Sequence, residues 1–338
     1  MRQGGEEAED LVSRRAGRPL KPGRQPQRLP ALRVIAPEIQ GPEDVVADAE
    51  GTLFTGGADG TVWRVALSTS GAAGRAVAVA HTGGRPLGLE PTADGRLLVC
   101  DAQRGLLRVD PRDGSVEVLA GEAGGEPLRF CSNVSAAADG TLYFSVSSRR
   151  YGLEDWMGDI LEHTGTGQLW RLRPGGEPEV LLDGLHFANG VALAEDESFV
   201  VVAETGAYRL RRLWLSGART GRCDSLARDL PGFPDNISRG PDGVFWVALA
   251  GPREPGVDLL HRMSPQVRRA VWRGVRPFRP RPRRTVGVVA LRADGSRACA
   301  LRRARSPYRM VTSVCRSGAF LIMGSVLESG LAVCALDV

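Results

Sequence analysis

The chain has 338 residues, of which 42% are hydrophobic and 25% are charged, and these proportions are ordinary for a soluble globular protein. No segment approaches the roughly 20 consecutive apolar residues that a membrane-spanning helix needs, and the first 30 residues lack the apolar core of a secretory signal. We therefore expect a cytoplasmic protein. The 43 glycines and 22 prolines follow no collagen-like period, so they indicate many turns and favour an all-β fold.

The net charge of +5 comes mainly from arginines, which are concentrated over residues 14–28 and 262–284. Aromatic residues do not alternate with these arginines as they do in proteins that bind single-stranded nucleic acid, so we expect no nucleic-acid partner. A solvated face or tail is the ordinary interpretation of these arginine runs, and weak contact of the second run with an anionic membrane surface is the alternative.

The six cysteines form no CxxC pair and have no metal-ligand spacing with the four histidines, which indicates reduced, mostly buried thiols.

In chain order, residues 1–30 hold few apolar groups and are predicted to form a disordered basic tail. From residue 31 onward one pattern recurs: an apolar alternating segment, a turn built on an acid that is usually followed by glycine, and a second β-rich segment. The copies recur at roughly 45 to 55 residues, with one longer gap before the last, which matches four-stranded blades. They begin at residues 43, 87, 132, 189, 235 and 313. We predict an all-β fold, a six-bladed β-propeller over residues 31–338.

The longer gap before the sixth copy has a helical pattern. From Val257 to Arg276, apolar residues recur near helical spacing with arginines between them. This pattern predicts a short helical cap insertion over about 252–284, before the last blade and above one mouth of the central channel. We expect its apolar face to pack on the propeller.

One position in the first five copies, seven residues before the turn acid, is polar in four of them. It is occupied, in chain order, by Glu43, Leu87, Ser132, Asn189 and Asp235. The starts of the inner strands of a propeller converge on its axis, so we expect these oxygens to meet around one point, as the ligands of Ca²⁺ do. The chain's only three asparagines, at 133, 189 and 236, lie in this column or one residue after it. A turn-forming role for asparagine is the alternative, but it would not require the two carboxylates.

Four segments carry a resemblance to a known family: GPED at 41–44, FANGV at 187–191, VAET at 202–205 and LPGFPDNI at 230–237. They resemble the strictosidine synthase-like family, including its adipocyte plasma membrane-associated protein-like members, and the resemblance covers roughly residues 31–338. The last segment is the most specific. The wider clan includes gluconolactonase (senescence marker protein), paraoxonase and diisopropyl fluorophosphatase. Membership would imply a six-bladed propeller with an axial calcium ion or another divalent cation.

The resemblance also implies a ligand set: a glutamate from the first blade, asparagines from the third and fourth, and an aspartate from the fifth. Glu43, Asn189 and Asp235 match three of these positions, while the third blade offers Ser132, with Asn133 one residue later. Two further positions depart from the family. Val146 stands where relatives usually carry aspartate, and Ser313 replaces the glutamate that strictosidine synthase uses as its base. Condensation of an amine with an aldehyde is therefore not supported.

The leading functional hypothesis is a metal-assisted hydrolase of a small ester, lactone or phosphoester, in which Asp235 activates water or attacks directly, as the resemblance implies. His186, three residues before Asn189, is a candidate for proton transfer, although a structural role is the ordinary one for an isolated histidine. The alternative is a non-catalytic ligand-binding or scaffold propeller that keeps the polar site. We expect a small-molecule substrate and a monomeric chain.

Overall fold

The computed structural model describes residues 26–67, 73–278 and 280–336, without the side chains of residues 73 and 74. In this part of the chain, five sheets of four strands and one of five are arranged as a propeller, which confirms the predicted six-bladed β-propeller. Each of the first four blades is a meander in which strands pair in chain order.

The strand bounds are as follows. Two strands, β1 (Gln27–Arg28) and β2 (Arg33–Gln40), precede the first blade. Blade 1 contains β3 (Val45–Ala47), β4 (Leu53–Gly56), β5 (Thr61–Leu67) and β6 (Ala73–His81). Blade 2 contains β7 (Pro86–Pro91), β8 (Leu97–Asp101), β9 (Gly105–Val109) and β10 (Val116–Ala120), and is followed by a small hairpin of β11 (Glu122–Ala123) and β12 (Glu126–Pro127). Blade 3 contains β13 (Cys131–Ala136), β14 (Leu142–Val146), β15 (Gly167–Leu172) and β16 (Glu179–Leu185).

The remaining blades close the ring. Blade 4 contains β17 (Ala188–Leu193), β18 (Phe199–Glu204), β19 (Arg209–Trp214) and β20 (Cys223–Ala227). Blade 5 contains β21 (Gly232–Arg239), β22 (Phe245–Pro252), β23 (Thr285–Leu291) and β24 (Arg297–Ala304). Blade 6 contains β25 (Val311–Ser317), β26 (Phe320–Ser325) and β27 (Ser329–Ala335). Its fourth strand is β2, which pairs antiparallel with β27, so the two ends of the propeller are joined within one sheet.

The propeller begins a few residues before the predicted boundary at residue 31. Strand β1 pairs in parallel with β24 at the outer edge of blade 5. Leu29, which directly follows β1, is fully buried in the core between blades 5 and 6. The last residues of the predicted tail are therefore part of the folded propeller. Residues 1–25 lie outside the described part of the chain.

The recurrent acid–glycine signal has a local cause in the turn between the first two strands of a blade. In blade 3, Asp139 accepts a hydrogen bond from the Thr141 backbone N–H at 2.8 Å. The next residue, Gly140, has φ +82°, a left-handed conformation that glycine adopts without a steric penalty. The acid holds the turn and the glycine provides its geometry, which is why this pair recurs between β-rich segments.

Three helices cover one mouth of the channel: α1 (Trp156–Glu162), α2 (Pro255–His261) and α3 (Pro265–Val275). Helices α2 and α3 form the predicted cap insertion, but they lie inside blade 5, between β22 and β23, and not between two blades. Helix α1, between β14 and β15 of blade 3, was not predicted. Trp272 of α3 is buried and packs edge-on against Tyr151 beside α1, with ring centroids 6.2 Å apart. No helix in the described ranges has both the length and the apolar character to cross a membrane.

Candidate active site

A cavity of 540 Å³ lies between the inner strands and the three helices. Its walls are mostly apolar, and they include Phe130, Trp156, Ile160, Phe187, Phe233 and Leu260. Arg281 and Arg283 also line it, from the segment that follows α3. The polar residues that come from the axial end of the blades are Glu43, Ser132, Asn189, Thr205, Asp235 and Thr312. Glu254, at the start of α2, also lines the cavity.

The predicted column therefore meets at one place. Glu43 from blade 1, Ser132 from blade 3, Asn189 from blade 4 and Asp235 from blade 5 are all buried and all line this cavity, and so does Leu87 from blade 2. Five inner strands have a break in register, between Pro86 and Leu89, Cys131 and Val134, Ala188 and Val191, Pro234 and Ile237, and Val311 and Ser313. Four of these breaks lie beside Leu87, Ser132, Asn189 and Asp235 and the fifth beside Thr312, whereas β3, which follows Glu43, pairs with β4 in regular register. Such bulges bend a strand and re-aim its side chains.

A chain of hydrogen bonds joins blades 3, 4 and 5 at the cavity floor. Ser132 Oγ donates to Asn189 Oδ1 at 3.2 Å, and Asn189 Nδ2 donates to Thr205 Oγ1 at 3.3 Å. Thr205 Oγ1 in turn donates to the Pro234 carbonyl oxygen at 2.6 Å, next to Asp235. These bonds fix the orientation of the Asn189 amide and the position of the strand that carries Asp235.

Glu43 and Asp235 are two buried carboxyl groups close enough to influence each other. Burial raises the pKa of Glu43 well above its usual value, and the nearby Asp235 carboxylate raises it further, while Arg85 and the Asn236 amide act in the opposite direction. Burial likewise raises the pKa of Asp235 well above its usual value. Asp235 Oδ1 has no hydrogen-bond partner in the described part of the chain. An oxygen in this state is stabilised by a proton or by a cation.

The donor set at the floor fits a hard divalent cation. Two carboxylates, one amide oxygen and one hydroxyl are the oxygen ligands that Ca²⁺ takes, and the unpartnered Asp235 Oδ1 is available to it. Within the described ranges, no group of three or more histidine, cysteine, aspartate or glutamate side chains is arranged to hold a metal ion. A cation here would consequently depend on the Asn189 and Ser132 oxygens as well as on the two carboxylates.

Asn133, which was predicted as a further metal ligand, does not line this cavity. Its Nδ2 donates to Asn236 Oδ1 at 3.2 Å and to Asp44 Oδ2 at 3.4 Å, and its Oδ1 accepts from the Val191 backbone N–H at 2.8 Å. Successive side chains of a strand point to opposite sides, and the bulge beside Ser132 does not reverse this alternation. The structure therefore places Asn133 behind the cavity floor and not among the residues that line this cavity.

Asp44, Asn133 and Asn236 form a second polar layer behind the cavity floor. Asn236 Nδ2 donates to both carboxylate oxygens of Glu43, at 3.2 Å each, and so holds the Glu43 side chain. The same three residues line a second cavity of 180 Å³ together with Glu90. Burial raises the pKa of Asp44 to about 6 and that of Glu90 to about 7. This layer positions the floor residues and separates the two cavities.

His186, the candidate for proton transfer, does not line the cavity either. Its ring stacks on the His163 ring, with centroids 3.5 Å apart and an angle of 9° between the planes. The His163 ring also contacts the His261 ring, with 4.0 Å between their centroids. His163 follows the last residue of α1, His261 is the last residue of α2, and His186 lies two residues before β17 of blade 4. The stack therefore joins the two helices to blade 4. The structure thus places the His186 ring in this stack and not among the residues that line the cavity floor.

The histidine stack makes stability depend on pH. Burial lowers the pKa of His163 to about 2 and also lowers the pKa values of His186 and His261. An unfolded histidine binds a proton below about pH 6.5, whereas the folded rings bind one only at lower pH, so the contribution of these histidines to stability is lost as the pH falls through that value.

We expect the His163→Phe variant to gain melting temperature relative to wild type as the pH falls from about 7.5 to 5.5, because phenylalanine keeps the aromatic contact and does not titrate. The buried carboxyl groups of Asp44 and Glu90, whose raised pKa values act in the opposite direction, are common to both proteins and cancel in this comparison. Thermal unfolding followed by circular dichroism measures this difference. Equal pH slopes for wild type and His163→Phe would contradict the assignment.

Several residues of the site were not found from the sequence. Thr205 directly follows Glu204 in a segment that was noted only for its family resemblance, and Thr312 precedes the residue at which the sixth copy was taken to begin. Arg85 is buried, donates to the Gly41 carbonyl oxygen at 2.7 Å and acts on the pKa of Glu43. Of the two departures from the family, Val146 packs in an apolar cluster and Ser313 does not line the cavity.

Comparisons with known proteins place these observations in context. Residues 133–218 match the family described as Strictosidine synthase, and residues 25–65 match Strictosidine synthase-like, N-terminal. The adipocyte plasma membrane-associated protein of Rattus norvegicus is 35% identical over 258 residues, which cover 72% of this chain and 68% of the rat protein. Strictosidine synthase-like protein 6 of Arabidopsis thaliana is 33% identical over 264 residues, which cover 76% of this chain and 69% of the plant protein.

Solved structures share the fold at low sequence identity. A gluconolactonase from Xanthomonas campestris superposes with a TM-score of 0.64 at 17% identity, covering 95% of this chain and 98% of that protein. Regucalcin, a calcium-binding protein from Agrobacterium tumefaciens, gives a TM-score of 0.59 at 15% identity, covering 92% of this chain and 96% of that protein. At this level of identity the superpositions establish the six-bladed architecture.

Proposed function

This chain belongs to the strictosidine synthase-like family, and from that premise we propose that it is a hydrolase of small apolar lactones or esters whose reaction takes place at the cavity floor. The observation that carries the proposal is the pair of buried carboxyl groups, Glu43 and Asp235, beneath an apolar cavity large enough for a small substrate. Burial raises the pKa values of both carboxyl groups, and perturbed pKa values in a cleft are typical of functional sites.

The lining of the cavity supports lactones and carboxylic esters over phosphoesters. Aromatic and aliphatic side chains form most of its wall and suit an apolar acyl or alkyl group. A phosphoryl group would need cationic donors beside the carboxylates, but Arg281 and Arg283 line the cavity from the cap insertion and not from the inner strands. The structural similarity to a gluconolactonase is consistent with lactone chemistry.

In this proposal Asp235 is the general base. Asp235 lines the cavity, and a carboxylate has two oxygens, so one could hold the cation while the other accepts a proton from a water molecule that attacks the substrate carbonyl carbon. The oxygen–carbon bond of the ester then breaks, and the same proton can be returned to the leaving oxygen.

Calcium is the proposed cofactor. Glu43, Asn189 and Asp235, with the Ser132 hydroxyl, would hold it at the floor. When bound, a divalent cation polarises the substrate carbonyl oxygen and stabilises the negative charge that develops there. The remaining polar contacts, from Asn236 to Glu43 and from Thr205 to Asn189, orient these ligands.

The proposal is tested with a panel of aryl esters and lactones, assayed with the purified chain in calcium buffer and after removal of calcium with a chelator. We expect turnover of at least one class in calcium, loss of turnover on chelation and recovery when calcium is added back. Absence of turnover across the panel in calcium would contradict it.

A second candidate function is a non-catalytic propeller that binds a small ligand in the same cavity. Ser132 favours it, because a hydroxyl is a weaker calcium ligand than the amide that the family carries at this position. Thermal stabilisation by panel compounds without their hydrolysis would favour this function over the first. Condensation of the strictosidine synthase type stays disfavoured, because neither Ser313 nor its cavity-lining neighbour Thr312 provides a carboxylate base.

A further inference from the structure

Two buried cysteines from neighbouring blades lie in contact. Cys100 at the end of β8 and Cys131 at the start of β13 are both fully buried, and their sulfur atoms are 3.2 Å apart. We propose that this pair is a redox site, which closes to a disulfide that links blades 2 and 3 beside the candidate active site.

The backbone around the pair is already held in place. The Phe130 N–H donates a hydrogen bond of 2.8 Å to the Ala102 carbonyl oxygen, which ties the two segments together one residue from Cys131 and two residues from Cys100. A disulfide has a sulfur–sulfur distance of about 2.05 Å, so the two sulfur atoms need to approach by only about 1 Å. Side-chain rotation can supply most of this movement, because the backbone is already held by the Phe130–Ala102 hydrogen bond.

The other cysteines are arranged differently. No other pair of cysteines in the described ranges makes a sulfur–sulfur hydrogen-bond contact. Cys223 is partly exposed and accepts a hydrogen bond from the Arg211 guanidinium. Cys100 and Cys131 share an apolar cluster with Val146 and Phe144, in which the disulfide bond would replace two thiols without leaving an unpaired polar group. The structure thus singles out one pair among six cysteines.

The reaction needs an oxidant of the disulfide class, such as glutathione disulfide. Cys100 and Cys131 lose two electrons and two protons and form one sulfur–sulfur bond, while the oxidant's bond breaks to give two glutathione thiols. Burial raises the pKa of the Cys100 thiol well above its usual value, so little thiolate is present and exchange is slow. The same burial protects the bond from reductants once it has formed. We therefore expect slow oxidation and strong resistance to reduction.

The position of the pair connects it to the site. Cys131 immediately precedes Ser132, and Cys100 immediately precedes Asp101, a buried carboxylate that contributes to the electrostatic environment of Arg85. A disulfide bond between Cys100 and Cys131 fixes the distance between blades 2 and 3 next to Ser132, which lines the cavity. It also closes a loop between positions 31 residues apart, which restricts the unfolded chain and raises stability. We expect the oxidised chain to melt roughly 5 °C higher than the reduced chain.

The test equilibrates the full chain in glutathione buffers from fully reduced to fully oxidised. Free thiols are then counted after denaturation, the linked peptides are mapped by mass spectrometry, and the melting temperature is measured. We expect two fewer thiols in the oxidised chain, a linked peptide pair that contains Cys100 and Cys131, and the higher melting temperature. Cys223→Ser, the matched control, should keep all three changes, whereas Cys100→Ser and Cys131→Ser should each lose them.

The proposal is overturned if all six thiols stay free in the oxidised buffers, or if the mapped bond joins other cysteines. Because the thiol count and the peptide map are made on the wild-type chain, a serine variant that fails to fold does not affect this decision. The outcome is independent of whether the cavity hydrolyses any substrate.

Discussion

Replacing Asp235 with asparagine is expected to lower kcat/KM for an ester or lactone by at least roughly 10²-fold, the lower end of the range that general acid–base groups contribute, because it removes both the base and a ligand of the proposed cation. The substitution keeps the shape of the side chain but removes the group that accepts the proton from water. It also removes one of two buried carboxylates that repel each other, because Asp235 is among the groups that raise the pKa of Glu43. The calcium-free variant should therefore be at least as stable as the calcium-free wild type.

The measurement pairs steady-state kinetics on the best panel substrate with thermal unfolding in the presence of a chelator. Glu117→Gln is the matched control, since Glu117 is an exposed carboxylate in β10, far along the blade from the axis, and its loss should leave both quantities unchanged. If Asp235→Asn retained activity within a few-fold of wild type, Asp235 would not be the base.

Replacing Gly190 with alanine is expected to lower the free energy of unfolding by about 3 kcal/mol and to abolish activity. A Cβ atom at this position would lie 2.3 Å from the Ile237 backbone nitrogen and 2.6 Å from the Asp235 carbonyl oxygen. Both partners are backbone atoms of the neighbouring inner strand, so they cannot move aside without shifting blade 5. Gly190 follows Asn189, and the close approach it permits brings Asn189 and Asp235 to the same floor.

Urea unfolding of Gly190→Ala and of a control, Gly274→Ala, tests this contact. Gly274 lies in α3, and a Cβ atom there would meet nothing within 4 Å. Alanine at that position should raise the free energy of unfolding by about 0.5–1 kcal/mol, because it reduces the entropy lost when the helix forms. Opposite signs for the two substitutions are the expected result. A Gly190→Ala variant with wild-type stability would show that the blades are not in backbone contact there.

The blade pattern could be predicted from the sequence because its causes are local. Asp139 and Gly140 form their turn from adjacent residues, and β-rich segments alternate on either side of it. The convergence of Glu43, Ser132, Asn189 and Asp235 followed from this periodicity, since equivalent positions of successive blades point to one axis. The predicted family was confirmed by the relatives at 35% and 33% identity.

What could not be predicted depends on pairing between distant segments. Strand β1 joins β24 and β2 joins β27 across almost the whole chain, and neither sequence segment carries a signal for its partner. The stack of His163, His186 and His261 assembles from three separate segments, so each histidine looked isolated in the sequence. Asn133 was assigned to the cavity although strand alternation directs it to the second layer. The cytoplasmic location, the monomeric state and the membrane contact of residues 262–284 stay predictions.

The central claim is that Glu43, Asn189 and Asp235 hold one divalent cation at the axis of the propeller. Isothermal titration of Ca²⁺ into chelator-treated protein tests it most directly, with wild type compared with Glu43→Gln and Asp235→Asn. We predict one calcium per wild-type chain and no measurable binding by either variant. Undetectable binding by the wild type, or equal binding by all three proteins, would contradict the claim.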